Sequence, residues 1–383
     1  MTRPPGPSVL FLSYTGLLEP LGRSQVLPYV RGLSRRGYRM SVVSFEKPGW
    51  TKEAESPAAR LADEGIRWIP RSYHKRPPGL STSWDAAQAF LLALRTVGGG
   101  VRLLHARSHV PALVAEAIRS VTGVPYLFDH RGLMAEEYAD AGIWKRGGLA
   151  YRLTTSLERR FVRNARRVVV LTERYRGQLS ERLDGVSVIP CAVDLERFRP
   201  PVDPESRSYD LVYAGAWSGL YLADETLRFL AAYRRRRPEA RLLLLVAPGS
   251  AVPPVAGVEV RHPRPEEVPE LLRLARVGLS LRRPGAAQRA ASPVKVSEYL
   301  ATGLTVVSSA GVGDLDSLLR DARTGAVVDD FSDERLDRAV RELIDLEDPE
   351  ACLRSRRLAE RRYGLKAAID SYDRIYREIL GMS

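Results

Sequence analysis

The chain has 383 residues, of which 44% are hydrophobic and 27% charged, and it carries a formal net charge of +13. These values exclude a disordered or fibrous chain, and the length favours two domains because a single core stops growing at roughly 250–300 residues. The positive charge comes from 53 Arg and six Lys spread along the chain. This spread favours a coding bias toward Arg over a nucleic-acid-binding protein, whose basic side chains cluster.

The first half of the chain alternates short apolar runs with helical patterns. Strands are predicted at 9–13, 40–44, 67–70, 102–106, 125–128, 168–171 and 186–189. Helices are predicted at 25–36, 84–97, 112–121, 149–164 and 173–182. Apolar runs without alternation are typical of strands that are buried on both faces of a parallel sheet.

The pattern starts again after a polar, proline-rich stretch at 197–206. Strands are predicted at 209–213, 241–246, 258–261, 277–281, 305–309 and 326–328. Helices are predicted at 223–237, 265–275, 294–301, 314–320 and 333–346. The sequence therefore predicts α/β domains at 1–198 and 209–364, a linker at 199–208 and an amphipathic helix within 365–383.

The cysteines and the apolar runs indicate the compartment. Cys191 and Cys352 show neither a metal-ligand spacing nor a disulfide framework. The apolar stretch at 9–13 is too short for the core of a signal peptide, and no run approaches the roughly 18 residues that span a bilayer. We expect a cytoplasmic protein, at most peripheral to the inner face of a membrane.

The loop before the predicted helix 294–301 is the strongest candidate site. Ser292 is a favoured N-cap residue, and the free backbone N–H groups of a helix N-terminus bind anions. Lys295 lies in the first turn, where the helix dipole disfavours a cation unless an anion is also present. Glu298 lies near the same helix face, and its carboxylate suits a vicinal diol such as a ribose. Taken alone, the pattern favours a surface helix with a weak Lys–Glu pair.

The segment Ser292-Pro-Val-Lys-Val-Ser-Glu-Tyr-Leu-Ala-Thr-Gly303 resembles the donor-site signature of retaining glycosyltransferases of family 4. The resemblance is to a subset that reads Ser-Pro-x-Lys-x-x-Glu-Tyr-Leu-Ala-x-Gly. Other stretches resemble the same subset in chain order, at 13–27, 105–112, 128–137, 189–194, 213–225 and 311–314. The resemblance implies the GT-B fold, in which two Rossmann-like domains face each other across a cleft and the C-terminal helix crosses back to the N-terminal domain.

The resemblance also implies an activity and a set of site residues. The reaction moves a sugar from a nucleoside-diphosphate sugar to a hydroxyl of a glycan, lipid-linked or small-molecule acceptor, with retention at the anomeric carbon. No metal, and no cofactor besides the sugar nucleotide, is expected. Donor-binding candidates are Gly16, Gly22, Gly215, Arg282, Ser292, Lys295 and Glu298. Catalytic candidates are His130, Arg131 and Glu137, and acceptor-side candidates are Arg107 and His109.

Several of these residues have a competing structural interpretation. Arg107 and Arg131 each follow a predicted strand, so both are expected to point into the cleft, where a guanidinium group suits a phosphate; a solvated Arg is the alternative. His109 and His130 suit a structural role as well as a catalytic one. Glu137 belongs to an acidic pair that orients an acceptor hydroxyl, pairs with Arg131 or only marks the start of a helix.

Two positions depart from the wider family pattern. Ala290 stands where the first of two glutamates eight residues apart is usual, so contacts to the sugar must come from elsewhere. The usual basic pair after the first strand of the second domain is replaced by residues 216–219. Lys295, with Arg282 or Arg283, is expected to supply that charge. These departures leave two alternatives open, a nucleotide-sugar epimerase that hydrolyses its donor and a non-catalytic nucleotide-sugar-binding partner.

A local excess of positive charge lies on the acceptor side. Residues 145–184 contain eleven Arg or Lys and four Asp or Glu. Such a basic face suits an anionic lipid surface or a lipid-linked diphosphate, although general Arg enrichment explains it equally well.

Overall fold

Two all-parallel β-sheets organise the chain in the computed structural model, which describes residues 6–49, 55–77, 79–180 and 185–382. The strands of the first sheet are β1 Ser8–Ser13, β2 Arg39–Glu46, β3 Arg67–Ser72, β4 Val101–Arg107, β5 Tyr126–Asp129, β6 Arg167–Val170 and β7 Val186–Val188. The strands of the second are β8 Tyr209–Ala214, β9 Leu242–Leu245, β10 Val258–Arg261, β11 Ala275–Ser280, β12 Thr305–Ser309 and β13 Gly325–Val328. Their orders are β3-β2-β1-β4-β5-β6-β7 and β10-β9-β8-β11-β12-β13.

Helices cover both faces of each sheet. Those of the first half are α1 Pro20–Gln25, α2 Leu27–Arg35, α3 Glu55–Asp63, α4 Leu80–Gly98, α5 His109–Thr122, α6 Met134–Asp140, α7 Leu149–Asn164 and α8 Glu173–Ser180. Those of the second half are α9 Ala223–Arg234, α10 Val268–Arg273, α11 Val294–Ala301, α12 Leu315–Asp321, α13 Asp333–Ile344, α14 Ala351–Arg362 and α15 Leu365–Leu380. No helix in the described part of the chain is long and apolar enough to cross a membrane.

The expected fold class is confirmed, and the apolar strands explain why. Residues 9–12 of β1 and 242–245 of β9 are at most 4% exposed, because helices cover both faces of each sheet. Each fully buried large apolar side chain stabilises the fold by about 1.5–3 kcal/mol. Two sheets with separate core clusters follow from this pattern.

The C-terminal helix crosses back to the first sheet, as the resemblance implied. Tyr372 and Tyr376 of α15 are buried in the core cluster that contains β1 and α2. The Tyr372 ring packs edge-on against Tyr29 with ring centroids 5.5 Å apart, and the Tyr376 hydroxyl lies 2.7 Å from Nδ1 of His105. The last helix therefore completes the core of the first sheet.

Some sequence predictions are wrong at the level of elements. The predicted helix 25–36 corresponds to α2 but begins two residues too early, because Val26, whose φ of −125° and ψ of −60° depart from helical values, separates α2 from the preceding short helix α1. The predicted helix 265–275 ends too late, since Ala275 begins β11. Helices α1, α3, α6 and α14 were not predicted, and residues 181–182 of the predicted helix 173–182 lie outside the described residues. The predicted linker 199–208 falls between β7 and β8 and contains the 3₁₀ turn Pro204–Ser206.

Candidate functional site

The loops that leave the carboxyl ends of the central strands meet between the two sheets. Thr172 after β6 donates its hydroxyl to the carbonyl of Arg289 at 2.9 Å. Asp314, after β12, accepts hydrogen bonds from the first backbone N–H groups of α8, those of Glu173 at 2.8 Å and Arg174 at 2.9 Å. In doubly wound sheets ligands bind beyond the carboxyl ends of the strands, so this cleft is the candidate site.

Lys295 stands on the second-sheet side of the cleft without a hydrogen-bond partner among the described residues. Its side chain is 7% exposed, and Nζ lies 4.0 Å from the ring centroids of both Tyr213 and Tyr221. Burial and the nearby Arg282 guanidinium lower the pKa of Lys295 well below its ordinary value, although Glu298 opposes this. A buried ammonium that only aromatic rings contact is a site ready for an anion.

Gly215 and Arg282 complete the surroundings of the Lys295 ammonium. Gly215 follows β8 with a φ of +135°, and a Cβ there would lie 2.9 Å from Nζ of Lys295. Arg282 follows β11, and its backbone is bonded on both sides to the hydroxyl of Ser309. Nε of Arg282 is buried without a hydrogen-bond partner in the described residues. The loop after β11 and the first turn of α11 therefore place two cations beside Tyr221.

The sequence interpretation of Ser292 is wrong in its detail. The N-cap of α11 is Pro293, and the Ser292 hydroxyl accepts the backbone N–H of Cys191 at 3.2 Å, which joins the two halves of the chain. The weak surface pair of Lys295 and Glu298 is not formed either, because the Lys295 ammonium is turned toward the tyrosine rings. The helix therefore offers a buried cation and backbone N–H groups, without a serine cap.

Glu298 lies one turn further along α11 and is half-buried. Burial raises its pKa to about 7, against the opposing charges of Arg197 and Lys295. The carboxyl group therefore changes its protonation close to neutral pH. Only the ionised form accepts two hydrogen bonds from a diol.

Nucleotide affinity is expected to depend on this ionisation. Between pH 6 and pH 8 the fraction of ionised Glu298 rises, so affinity for a nucleoside diphosphate should increase. Glu298→Gln should weaken binding at pH 8 by about tenfold or more, since a hydrogen bond to a charged group contributes about 1.5–3 kcal/mol. At pH 6 the affinities of the two proteins should differ less.

Titration calorimetry at pH 6 and pH 8 measures these affinities. The matched control is Glu270→Gln, which removes an exposed carboxylate on α10. Equal affinities of wild type and Glu298→Gln at pH 8 would exclude Glu298 from the nucleotide site.

The expectation that Arg107 and Arg131 point into the cleft is wrong. Both guanidinium groups are buried and paired with one carboxylate, Asp129, at 3.2 and 3.3 Å. Asp129 also lies 3.4 Å from Nε2 of His105 and accepts the hydroxyl of Tyr372 at 3.1 Å. Burial opposes ionisation of Asp129, but Arg131 and the nearby His105 ring hold its pKa well below the ordinary range. Arg107 and Arg131 lie in the interior because the buried carboxylate of Asp129 requires compensating positive charge.

His130 and His109 lie together at the first-sheet side of the cleft. Both rings are buried, with centroids 5.3 Å apart, and both face the carboxylate of Glu158 on α7. Ser108, directly before His109, has a φ of 72° and a ψ of −177°, a backbone conformation that costs a non-glycine residue about 1–3 kcal/mol. The fold thus fixes this histidine pair at a cost in backbone strain.

Glu137 lies in the first turn of α6 and is exposed to the cleft. Desolvation by the surrounding protein raises its pKa, while the charges of Arg282 and His130 lower it in part. The predicted pairing with Arg131 is not formed, because Asp129 already pairs with that guanidinium group. The neighbouring Glu136 instead accepts the Tyr151 hydroxyl at 2.9 Å. Glu136 also pairs with Arg146 at 3.2 Å and lies 3.7 Å from Arg289, whereas Glu137 is the member of the acidic pair near Arg282 and His130.

The glycine loop after β1 is pinned by a buried carboxylate. Glu46 accepts the backbone N–H groups of Leu17 at 2.7 Å and Leu18 at 3.3 Å. A Cβ on Gly16 would press against this carboxylate, and a Cβ on Gly22 would overlap the carbonyl of Gly16. Gly22 therefore has a structural role, because its missing side chain lets α1 pack on the loop; its role in ligand approach stays a prediction.

Ala290 lies in the 3₁₀ turn Ala286–Ala290 and is 2% exposed. It packs in the core cluster of the first sheet, which includes Phe128 and Tyr175.

An Asp-x-Asp spacing occurs at residues 314–316. Asp314 caps α8, and Asp316 accepts the backbone N–H of Gly311 at 3.0 Å. Neither carboxylate is directed at Lys295.

Comparisons with known proteins concern the family and the fold. Residues 25–197 match the model of Glycosyltransferase Family 4. Sucrose-phosphate synthase from Thermosynechococcus elongatus superposes with a TM-score of 0.73 at 16% identity, over 99% of this chain and 100% of that one. A glycosyltransferase from Rickettsia africae gives 0.70 at 14%, over 98% and 100%. Anabaena HepE, in complex with UDP and glucose, gives 0.67 at 13%, over 96% and 98%. No curated protein matches the sequence significantly.

The chain has the GT-B fold. At these identities the structures establish the fold alone. The family match, which covers less than half of the chain, and the GT-B fold together support a glycosyltransferase of the family 4 kind. The segment 292–303 lies outside the matched residues, so its assignment as a donor motif stays a prediction.

Within the GT-B cleft the structure groups the predicted residues in two sets. Gly215, Arg282, Lys295 and Glu298 lie on the second-sheet side, and His109, His130 and Glu137 on the first. The sequence interpretation missed Asp129 and Glu158, which the folded chain surrounds with cations and histidines. Asp129 directly precedes His130 in the motif at 128–137, which was a usable signal. Glu158 carries no such signal, since it stands among ordinary charged residues of α7.

Proposed function

We propose that this protein is a retaining glycosyltransferase that moves a sugar from a nucleoside-diphosphate sugar to a hydroxyl acceptor. The observation that carries the proposal is the ammonium of Lys295, which is buried between two tyrosine rings without a hydrogen-bond partner among the described residues. A donor diphosphate would supply the missing anion, and Gly215 leaves room for it beside Nζ. The family 4 match supports the same function.

The proposed reaction follows from the charges on the two sides of the cleft. Lys295 and Arg282 stabilise the negative charge that develops on the diphosphate as the bond from the anomeric carbon to the phosphate oxygen breaks. The acceptor oxygen bonds to that carbon from the same face, and its proton passes to the leaving phosphate oxygen. Glu298 binds the ribose diol, while His130 and Glu137 contact the sugar and the acceptor. In this proposal protein cations neutralise the diphosphate, so transfer is independent of metal.

A nucleotide panel followed by a turnover assay tests this function. Thermal shift against nucleoside diphosphates and their sugars should show one base that stabilises the protein, by mass action on the folded state. With the matching donor and a hydroxyl acceptor, mass spectrometry should detect a glycoside, and NMR should show an unchanged anomeric configuration. Release of nucleotide without an acceptor would favour an epimerase or hydrolase, and binding without turnover would favour a non-catalytic partner.

We also propose that the acceptor side contacts an anionic membrane surface. Ile143, Leu149 and Leu153 are 65%, 86% and 57% exposed, and Lys145 and Arg152 beside them are also exposed. Apolar side chains beside cations suit the interface of an anionic bilayer. The protein should float with vesicles containing phosphatidylglycerol and not with phosphatidylcholine vesicles. Leu149→Ser with Leu153→Ser should abolish flotation, and equal flotation with both lipids would refute an electrostatic contact.

A further inference from the structure

Glu158 is the meeting point of four elements beside the cleft. Nε2 of His109 lies 2.7 Å from Oε2 of Glu158, and Nε2 of His130 lies 3.5 Å from the same oxygen. The Tyr175 hydroxyl donates to Oε1 at 3.2 Å. α5, the loop after β5, α7 and α8 thus converge on one carboxylate, whose side chain is only 12% exposed.

The carboxylate selects the tautomer of the histidines. An ionised carboxylate only accepts hydrogen bonds, so His109, at 2.7 Å, approaches it favourably with its proton on Nε2. Nε2 of His130 lies 3.5 Å from both Oε2 of Glu158 and the Tyr175 hydroxyl. Because that hydroxyl donates its own proton to Oε1 of Glu158, both neighbours present lone pairs to Nε2 of His130 and favour a proton there. Burial opposes ionisation of Glu158, but His130 and the hydrogen bond from His109 hold its pKa well below the ordinary range. With Nε2 protonated, a neutral His130 keeps a lone pair on Nδ1. That atom is buried without a hydrogen-bond partner in the described part of the chain.

The position of His130 suits its Nδ1 lone pair to accept a hydrogen bond from a bound ligand. The residue directly follows β5, at the carboxyl edge of the first sheet, and lies close enough to Glu137, on the same side of the cleft, to influence that carboxylate. A buried acceptor without a donor costs about 1–3 kcal/mol. A hydroxyl donor from a bound sugar would remove that cost.

We propose that Glu158 is a positioning residue that fixes the ring and tautomer of His130, so that Nδ1 accepts a hydrogen bond from a hydroxyl of the transferred sugar. The proposal rests on the proposed glycosyltransferase function. Glu158 acts only through His130 and does not itself touch the substrate.

Glu158→Gln tests the proposal because it reverses the tautomer. Both histidines face the position of Oε2 and Tyr175 donates at the position of Oε1, so the amide oxygen should accept from Tyr175 and the amide nitrogen should donate to Nε2 of both rings. The proton of His130 then moves to Nδ1. In the full-length protein with ¹⁵N-labelled histidine rings, NMR should show an Nε2–H ring for His130 in the wild type and an Nδ1–H ring in Glu158→Gln. The kcat should fall at least about tenfold. Nucleotide affinity should stay unchanged, since Lys295 and Glu298 belong to the other side of the cleft.

Glu116→Gln is the matched control. Glu116 is also a buried carboxylate of the first half; it lies two helical turns beyond His109 on α5 and accepts from Tyr126 and Asn164 instead of from the histidines. This variant should lose stability while it keeps the Nε2–H ring of His130 and a kcat close to that of the wild type. An equal fall of kcat in both variants at a temperature where both are folded would overturn the proposal.

Two further results would overturn it. One is an Nδ1–H ring for His130 in the wild type, a measurement that decides the matter even if Glu158→Gln does not fold. The other is stoichiometric divalent metal in the purified protein, because His109, His130 and Glu158 place one ligand atom each within 4.8 Å of one another. The ring measurement needs no substrate, so failure of every acceptor would refute the transferase function while leaving the tautomer result intact.

Discussion

Lys295→Met is expected to lower kcat/KM for the sugar nucleotide by about 10²–10³, as loss of a single charge-stabilising donor does in other active sites. The ammonium has no hydrogen-bond partner among the described residues and lies between two tyrosine rings, so a diphosphate is the anion that it would pair with. Nucleotide affinity should fall at least about tenfold for the same reason. The free energy of unfolding should be equal or higher, because methionine removes the cost of a buried cation.

Steady-state kinetics, calorimetry and urea denaturation measure the three quantities. Lys366→Met is the matched control, since the Lys366 side chain is 89% exposed and its pairing with Asp370 lies on the surface of α15. It should change neither kinetics nor affinity. A Lys295→Met protein that binds nucleotide as tightly as the wild type would remove Lys295 from the donor site.

Asp129→Asn is expected to destabilise the protein by about 3–5 kcal/mol, as does breaking other buried ion pairs by removing one partner. The neutral amide would leave the guanidinium groups of Arg107 and Arg131 buried without a counter-charge. It would also weaken the contact with Tyr372, through which α15 is bonded to the end of β5. Activity should fall as well, because Asp129 fixes the loop that begins with His130.

The pH dependence of stability provides a second test of Asp129. Its pKa is depressed in the folded state, so its stabilising contribution is full above the unfolded value of about 3.9 and is lost as pH falls below it. The stabilities of wild type and Asp129→Asn should therefore converge below about pH 4. Asp333→Asn, an exposed carboxylate paired with Arg228, should cost less than about 1 kcal/mol. Equal urea midpoints for Asp129→Asn and Asp333→Asn at pH 7 would contradict the central role of Asp129.

The two-sheet architecture could be predicted from the amino-acid sequence. Strands that are buried on both faces read as continuous apolar runs, and β10 and β12 have the bounds that the sequence predicted. The position of Lys295 in the first turn of a helix could also be predicted from the sequence, since α11 spans the predicted residues. These features are local, since they depend on the spacing of neighbouring side chains.

The partners and the burial of the charged side chains, in contrast, depend on the tertiary structure. Arg107 ends β4 and Arg131 lies just after β5, but both pair in the interior with Asp129. Asp129 is also bonded to Tyr372, which lies 243 residues further along the chain. The role of Glu158 depends on the folded chain, in which α7 places its carboxylate beside His109 and His130. The charge state and direction of a polar group depend on burial and on partners that are distant in sequence, and local sequence patterns do not contain this information.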